Sequence, residues 1–332
     1  LIRVLAFIKE GDEACNQVIN KIEALKNDLE FELNIIPLNE SELLEEKYIN
    51  KIPLVKVGPY ALDGNMDSNY LRMTISAAID RDRQLTEVGD TAYKKRLDQG
   101  RVFSKFDRIS LWISKSYIWL MAFFLFLYVG LPFMAPVFMN AGLNLPAKVI
   151  YVIYKPLCHQ LAFRSYFIFG DQPFYPRTLA GIEGVQSYEE ITNQKNINIR
   201  DAQKFVGNEK VGYKVALCER DVAIYGSMLL FAIIFILTRR RINSLPWYFW
   251  LILGLIPIGI DGVSQLPSLA ASLPSWLPIR ESTPLLRTIT GMLFGITTSW
   301  YLFPLLEESM RETRFLLTEK KAIQKPYKSE NN

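Results

Sequence analysis

Histidine and cysteine are nearly absent from this chain, with one His and three Cys in 332 residues. Three cysteines cannot build a disulfide framework, although they leave room for one bridge. A single histidine excludes heme held by two imidazoles of this chain, whereas contact with chlorophyll or a quinone at an interface stays open. Strong charge of one sign is missing as well. Lys and Arg number 38 against 34 Asp and Glu, a net charge of +4 that gives no footprint for nucleic acid. Nor does the chain contain a nucleophile–base pair, a phosphate-binding glycine loop or paired catalytic carboxylates.

What is present is segregated. Half of the residues are hydrophobic and 22% are charged, and an even mixture of the two would suit neither water nor lipid. Residues 1–110 are charged throughout, while most long apolar runs come later. The length leaves room for two or three domains. The opening run LIRVLAFI is too short for the apolar core of a signal peptide and has an acidic helical pattern behind it.

Residues 1–85 predict a small α/β unit. IRVLAFI reads as a strand, and Val18, Ile22, Leu25 and Leu29 then recur on one helix face. FELNIIPL predicts a second strand, IPLVKVG and YALDG a hairpin, and the segment from Asp67 to Asp80 a helix with Leu71 and Ile75 inward. This order, β-α-β-(α)-β-β-α, resembles the thioredoxin fold, particularly its glutaredoxin-like branch. The resemblance implies a cis-proline at Pro53, before the third strand, where X-Pro makes cis cheap. It also implies a C-x-x-C motif where strand one meets helix one. There the sequence reads EGDEACNQ, with Asp12 in place of the nucleophilic cysteine and Cys15 in place of its partner. A carboxylate can cap the helix but cannot attack a disulfide. Asp12, Cys15 and Pro53 are therefore read as a degenerate redox motif in a docking or regulatory module.

Residues 86–115 are polar and basic. Val102, Phe103, Phe106, Ile109 and Ile113 can form one apolar helix face, with Lys94, Lys95, Arg96, Arg101, Lys105 and Arg108 outside it. This suits a helix at an anionic membrane surface or a solvated linker helix. Residues 116–306 predict an all-α transmembrane bundle. Four runs approach the roughly twenty apolar residues that a span needs: Ser116 to Met139, Val222 to Thr238, Trp247 to Ile260 and Leu285 to Leu306. A fifth segment, 148–170, carries Lys155, Pro156, His159, Gln160 and Arg164 and makes a poor lipid-facing span.

Charge sets the orientation. The basic flank before the first span puts the N-terminus in the cytoplasm, and Arg239, Arg240 and Arg241 join it if 148–170 does not cross. The expectation is thus a multi-pass protein of the inner membrane, with four spans, both termini cytoplasmic and one re-entrant or interfacial helix. A polar loop, 171–217, lies outside and carries Arg177, Lys195, Arg200, Lys204, Lys210 and Lys214. Residues 307–332 form a basic C-terminal tail. Glycines 254, 259, 262, 291 and 295 are expected to permit close helix contact.

In that arrangement polar groups of four segments meet at one membrane depth. They are Cys158, His159 and Arg164; Cys218, Glu219, Arg220 and Asp221; Asp261 and Gln265; and Arg287. Asp261 and Arg287 are expected to pair and to hold two spans in register. The pieces CHQLAFRS, GYKVALCERDVAIYG, PIGIDGVSQL and RTITGMLFG resemble an uncharacterised family of bacterial integral membrane proteins, over roughly residues 110–305. The family pattern of Cys-His, C-x-R-C, Asp-Gly and Arg with Thr-Gly departs here at Asp221, which stands for the last cysteine. The resemblance implies a zinc-like ligand set, and Cys158, His159, Cys218 and Asp221 are chemically admissible ligands. A metal site, a Cys158–Cys218 disulfide and a hydrogen-bonded cluster with free thiols all fit the residues.

These features point first to a non-enzymatic membrane protein in lipid. Its role would be that of an accessory or assembly subunit beside other membrane subunits, in a complex of respiratory or photosynthetic type. A membrane metal-binding or redox enzyme using the Cys/His/Asp cluster is the second reading. A small-solute transporter lined by Asp261 and Arg287 is the third.

Overall fold

A computed structural model describes residues 1–64, 66–93, 95, 100, 102–194, 197–265 and 280–324. Lys94, Arg96, Arg101 and Lys195 of the expected basic segments, and residues 325–332 of the tail, lie outside the described residues. Two compact units are formed: Leu1–Lys115 with the C-terminal segment from Ser309, and Ser116–Glu308.

The first unit follows the element order read from the sequence. It runs β1 (Ile2–Ile8), α1 (Glu13–Leu25), β2 (Phe31–Pro37), α2 (Glu42–Tyr48), β3 (Leu54–Val57), β4 (Tyr60–Asp63) and α3 (Ser68–Glu87). The sheet is mixed, in order β2-β1-β3-β4, with β1 parallel to β2 and antiparallel to β3. Helix α1 starts where the Asp12 carboxylate accepts the Cys15 amide at 3.0 Å. Cys15, Val18, Ile22 and Leu25 are its buried positions, at the spacing an amphipathic helix requires. The other side of the sheet is covered by the chain's own C-terminal segment. Phe315 is buried with Phe7, Ile36, Leu44 and Tyr48, and Ala322 and Ile323 pack beside them. Lys56 Nζ lies 2.6 Å from both Tyr48 Oη and Glu319 Oε1. The segment read as a tail is thus, up to Gln324, an element of this unit's core.

The second unit holds the apolar helices. Among the described residues three helices are long and apolar enough to cross a membrane: α4 (Lys105–Asn140), whose first turns belong to the other unit, α8 (Glu219–Leu237) and α10 (Pro284–Gln324). The remaining apolar run forms a shorter helix, α9 (Trp247–Val263), π-helical over Trp250–Leu255. Helix α4 stops at Gly142, in the left-handed region at φ 75°. There Leu143 N donates to Phe138 O at 2.8 Å and Gly142 N to Met139 O at 3.1 Å, a paired C-terminal cap. Close approach fixes α10 against α8. A Cβ on Gly295 would lie 2.1 Å from Ser227 Oγ and 2.2 Å from Ile224 O, and one on Gly291 would lie 2.8 Å from Arg220 O. Gly254 meets Thr297 in the same way, whereas Gly259 faces open space and Gly262 makes only ordinary contact, contrary to expectation.

The expectation of an all-α membrane part misses a sheet. Helix α5 (Asn144–Tyr154) is followed by β5 (Ser165–Ile168), and two short helices, α6 (Tyr188–Thr192) and α7 (Ile199–Lys204), precede β6 (Gly207–Asn208) and β7 (Gly212–Cys218). These strands form an antiparallel sheet in order β5-β7-β6. Residues 171–217 are therefore a folded layer rather than a loop, with Phe163, Phe167, Tyr175, Tyr188 and Ala202 in its core. Lys214, expected among solvated loop charges, is buried at 1% exposure.

Candidate metal centre

The site is built where β7 runs directly into α8. Cys218 ends the strand and caps the helix, its Sγ accepting the Asp221 amide at 3.4 Å. Residues 218 and 221 then share one side of the first turn, so both side chains reach a common point. Pairing of Ser165 with Cys218 in the sheet brings the 158–165 segment alongside. Cys158 follows α5, its amide bonded to Tyr154 O at 2.9 Å, and its Sγ accepts the Cys218 amide at 3.3 Å.

Donor atoms of Cys158, Cys218 and Asp221 all lie within 4.8 Å of one another. Each sulfur thus receives a backbone N–H, which favours the thiolate. A hydrogen bond from the Cys218 thiol holds the Cys158 thiol below its ordinary range. That same bond, with burial, pushes the Cys218 thiol well up. A bound cation would draw the protons off both thiols. Two thiolates and a carboxylate are donors that zinc accepts, with a fourth position left over. His159 is exposed and stands outside the three-atom group, but it lines the same cavity of about 500 Å³ as Cys158, Cys218 and Asp221.

Around this cavity the charges pair differently from expectation. Asp261 binds Arg220, not Arg287, and accepts from Gln265 Nε2 at 3.1 Å. Arg280 lies 3.7 Å from its other oxygen. Arg287, 2% exposed, reaches Glu219 at 3.1 Å, pairs with Glu281 and meets Gln265 at 3.4 Å. The hub is Glu281, a residue that sequence reasoning missed. Its carboxylate takes both forks of Arg164, at 2.8 and 2.9 Å, and lies 3.9 Å from Arg177. The expected Asp261–Arg287 pair rests on both residues lying in apolar runs at one membrane depth, although Glu281 is only six residues from Arg287. Glu281 precedes its helix, where an acid carries no periodic signal.

Two buried groups hold the cysteine segment. Gln160 adopts φ 50° and donates from Nε2 to Tyr151 O at 2.9 Å. Lys214 donates from Nζ to Gln160 O at 2.8 Å and to Gln203 O at 2.7 Å. Its ammonium is pushed down to about 7 by burial. In the other unit, Asp12 caps α1, Cys15 is fully buried with its thiol pushed up by burial, and Ile52–Pro53 is cis.

Apolar helices of spanning length, joined to a polar, cysteine-bearing cavity, place the chain in the class of membrane proteins. Comparison with known proteins agrees at that level. Residues 210–301 match a family described as "Predicted membrane protein (DUF2085)". That stretch holds Cys218, Arg220, Asp221, Asp261 and Arg287 but neither Cys158 nor the N-terminal unit. An uncharacterized protein of Methanocaldococcus jannaschii is 26% identical over 202 residues, which cover 59% of this chain and 96% of that one. No solved structure matches.

Proposed function

We propose that this chain is an integral membrane protein whose polar cavity holds a zinc ion on Cys158, Cys218 and Asp221. The observation that carries the reading is the convergence of three donor atoms within 4.8 Å, beside a cavity, with both sulfurs bonded to backbone N–H groups. Three protein ligands leave a fourth position for a ligand or for His159, the arrangement of zinc centres that do chemistry or exchange ligands. In the same reading α9 serves as a fourth span, segment 148–170 lies at the outer surface of an inner membrane, and both termini are cytoplasmic. Metal analysis of purified protein tests the centre. The expected result is one zinc per chain, lost in Cys218→Ser while the protein stays folded. Folded wild-type protein without stoichiometric metal would sink the reading.

The second reading is an accessory or assembly subunit of a larger membrane complex, with a thioredoxin-like docking unit. Support comes from the sheet order β2-β1-β3-β4 and the loss of the dithiol, since Asp12 caps the helix and Cys15 is buried. Mass measurement after purification in mild detergent is expected to find a second polypeptide at fixed stoichiometry. The chain alone, or only copies of itself, would contradict this.

A further inference from the structure

The cavity has walls of two kinds. Arg164, Arg220 and Arg287 line it, against one lining carboxylate, Asp221. The acids that pair with these arginines, Glu219, Glu281 and Asp261, are buried and are not part of the lining. The face turned to a ligand is thus cationic, while the compensating charge sits behind it. Arg220 Nε is buried with no acceptor among the described residues, although its terminal nitrogen binds Asp261. Glu219 Oε1 and Asp261 Oδ1 are likewise buried without a hydrogen-bond partner among the described residues.

The rim is apolar. Leu157 lines the cavity and is 55% exposed. It continues a stripe of exposed apolar side chains along α5, formed by Leu145, Val149, Val152 and Ile153. The opposite side of that helix buries Ala147, Ile150, Tyr151 and Tyr154 in the protein. A helix apolar on both sides, one turn of chain beyond a span-length helix, has lipid as the natural cover for its free side.

We infer that the cavity is the head-group site of an anionic phospholipid, with the phosphate among Arg164, Arg220 and Arg287 and the acyl chains leaving past Leu157 along α5. Guanidinium groups suit phosphate oxygens in number and shape, and a lipid tail accounts for a rim that a free anion would not need. The inference rests on the proposed outer-surface placement of α5, not on the metal.

The test uses the full-length protein in phosphatidylcholine nanodiscs, with short-chain phosphatidic acid as the probe and inorganic phosphate and short-chain phosphatidylcholine as the other arms. Phosphatidic acid is expected to saturate one site, more tightly than either other probe. Leu157→Asp is expected to weaken it by about tenfold or more, as lost apolar burial and like charge require. Equal affinity for inorganic phosphate would make this a free-anion site and overturn the inference. Equal affinity for phosphatidylcholine, or no binding to folded protein, would overturn it too. Zinc is counted in the same samples. Lipid binding without zinc sinks the metal reading alone, and zinc without lipid binding sinks this inference alone.

Discussion

Single residues in the polar layer carry opposing demands of burial and charge, and two of them make those demands measurable. Arg287 stands between Glu219 and Glu281, all three nearly without exposure. Arg287→Met leaves two buried carboxylates facing each other and is expected to cost about 3–5 kcal/mol in detergent unfolding, with part recovered by adding Glu219→Gln. An unchanged transition would contradict the pairing. Lys214 gives a pH signature instead. The folded chain releases its proton near 7, whereas the unfolded chain keeps it to the ordinary value of 10.5. Between those values the unfolded state binds more protons, so stability rises with pH, and below pH 7 the cost of burying the ammonium is paid in full. Lys214→Met is expected to flatten that rise, and a slope unchanged by the substitution would count against it. At this scale the pairing of Cys218 with Asp221 is legible in the sequence, because capping and i, i+3 spacing are local, whereas Cys158 stands 60 residues from Cys218. It is not legible for Glu281, whose forked partner Arg164 lies 117 residues away, or for Lys214, whose acceptor on Gln160 lies 54 away, since neither contact belongs to a short motif.

At the scale of elements, the contact between α8 and α10 is set by missing side chains. Gly295→Ala would drive a Cβ into Ser227 and the Ile224 carbonyl, and is expected to destabilise by about 1–3 kcal/mol. Gly259→Ala meets open space and is expected to leave the thermal transition in place. Equal effects at both positions would show that close helix approach is not what Gly295 provides. Helices and strands with strong periodicity were readable from the residues alone, as α1 and β1 to β4 illustrate. The sheet β5-β7-β6 is not, because β5 has four residues and lies across a long connection from β7, and β6 has only two. Nor was the docking of Phe315, Ala322 and Ile323 on the first unit's sheet, since an amphipathic pattern does not say what its apolar side meets.

For the whole molecule, the proposed four spans would put the layer formed by residues 171–217 and the C-terminal segment on opposite sides of the bilayer. Cysteine labels at Glu183 and Glu312, introduced one at a time, are expected to react from opposite faces of sealed vesicles; reaction from the same face would remove the fourth span. Hydrophobic runs and basic flanks make the membrane class legible, while a cavity assembled from the segment after α5, the end of β7 and the first turns of α7, α8 and α10 depends on tertiary pairing that no run of residues announces. Zinc-edge X-ray absorption of the purified, zinc-loaded chain reads the proposed metal centre itself. The expected shell has two sulfurs at about 2.3 Å and nitrogen or oxygen donors at about 2.0–2.2 Å, with a sulfur lost in Cys158→Ser. A shell of oxygen and nitrogen alone, unchanged by that substitution, would contradict the account.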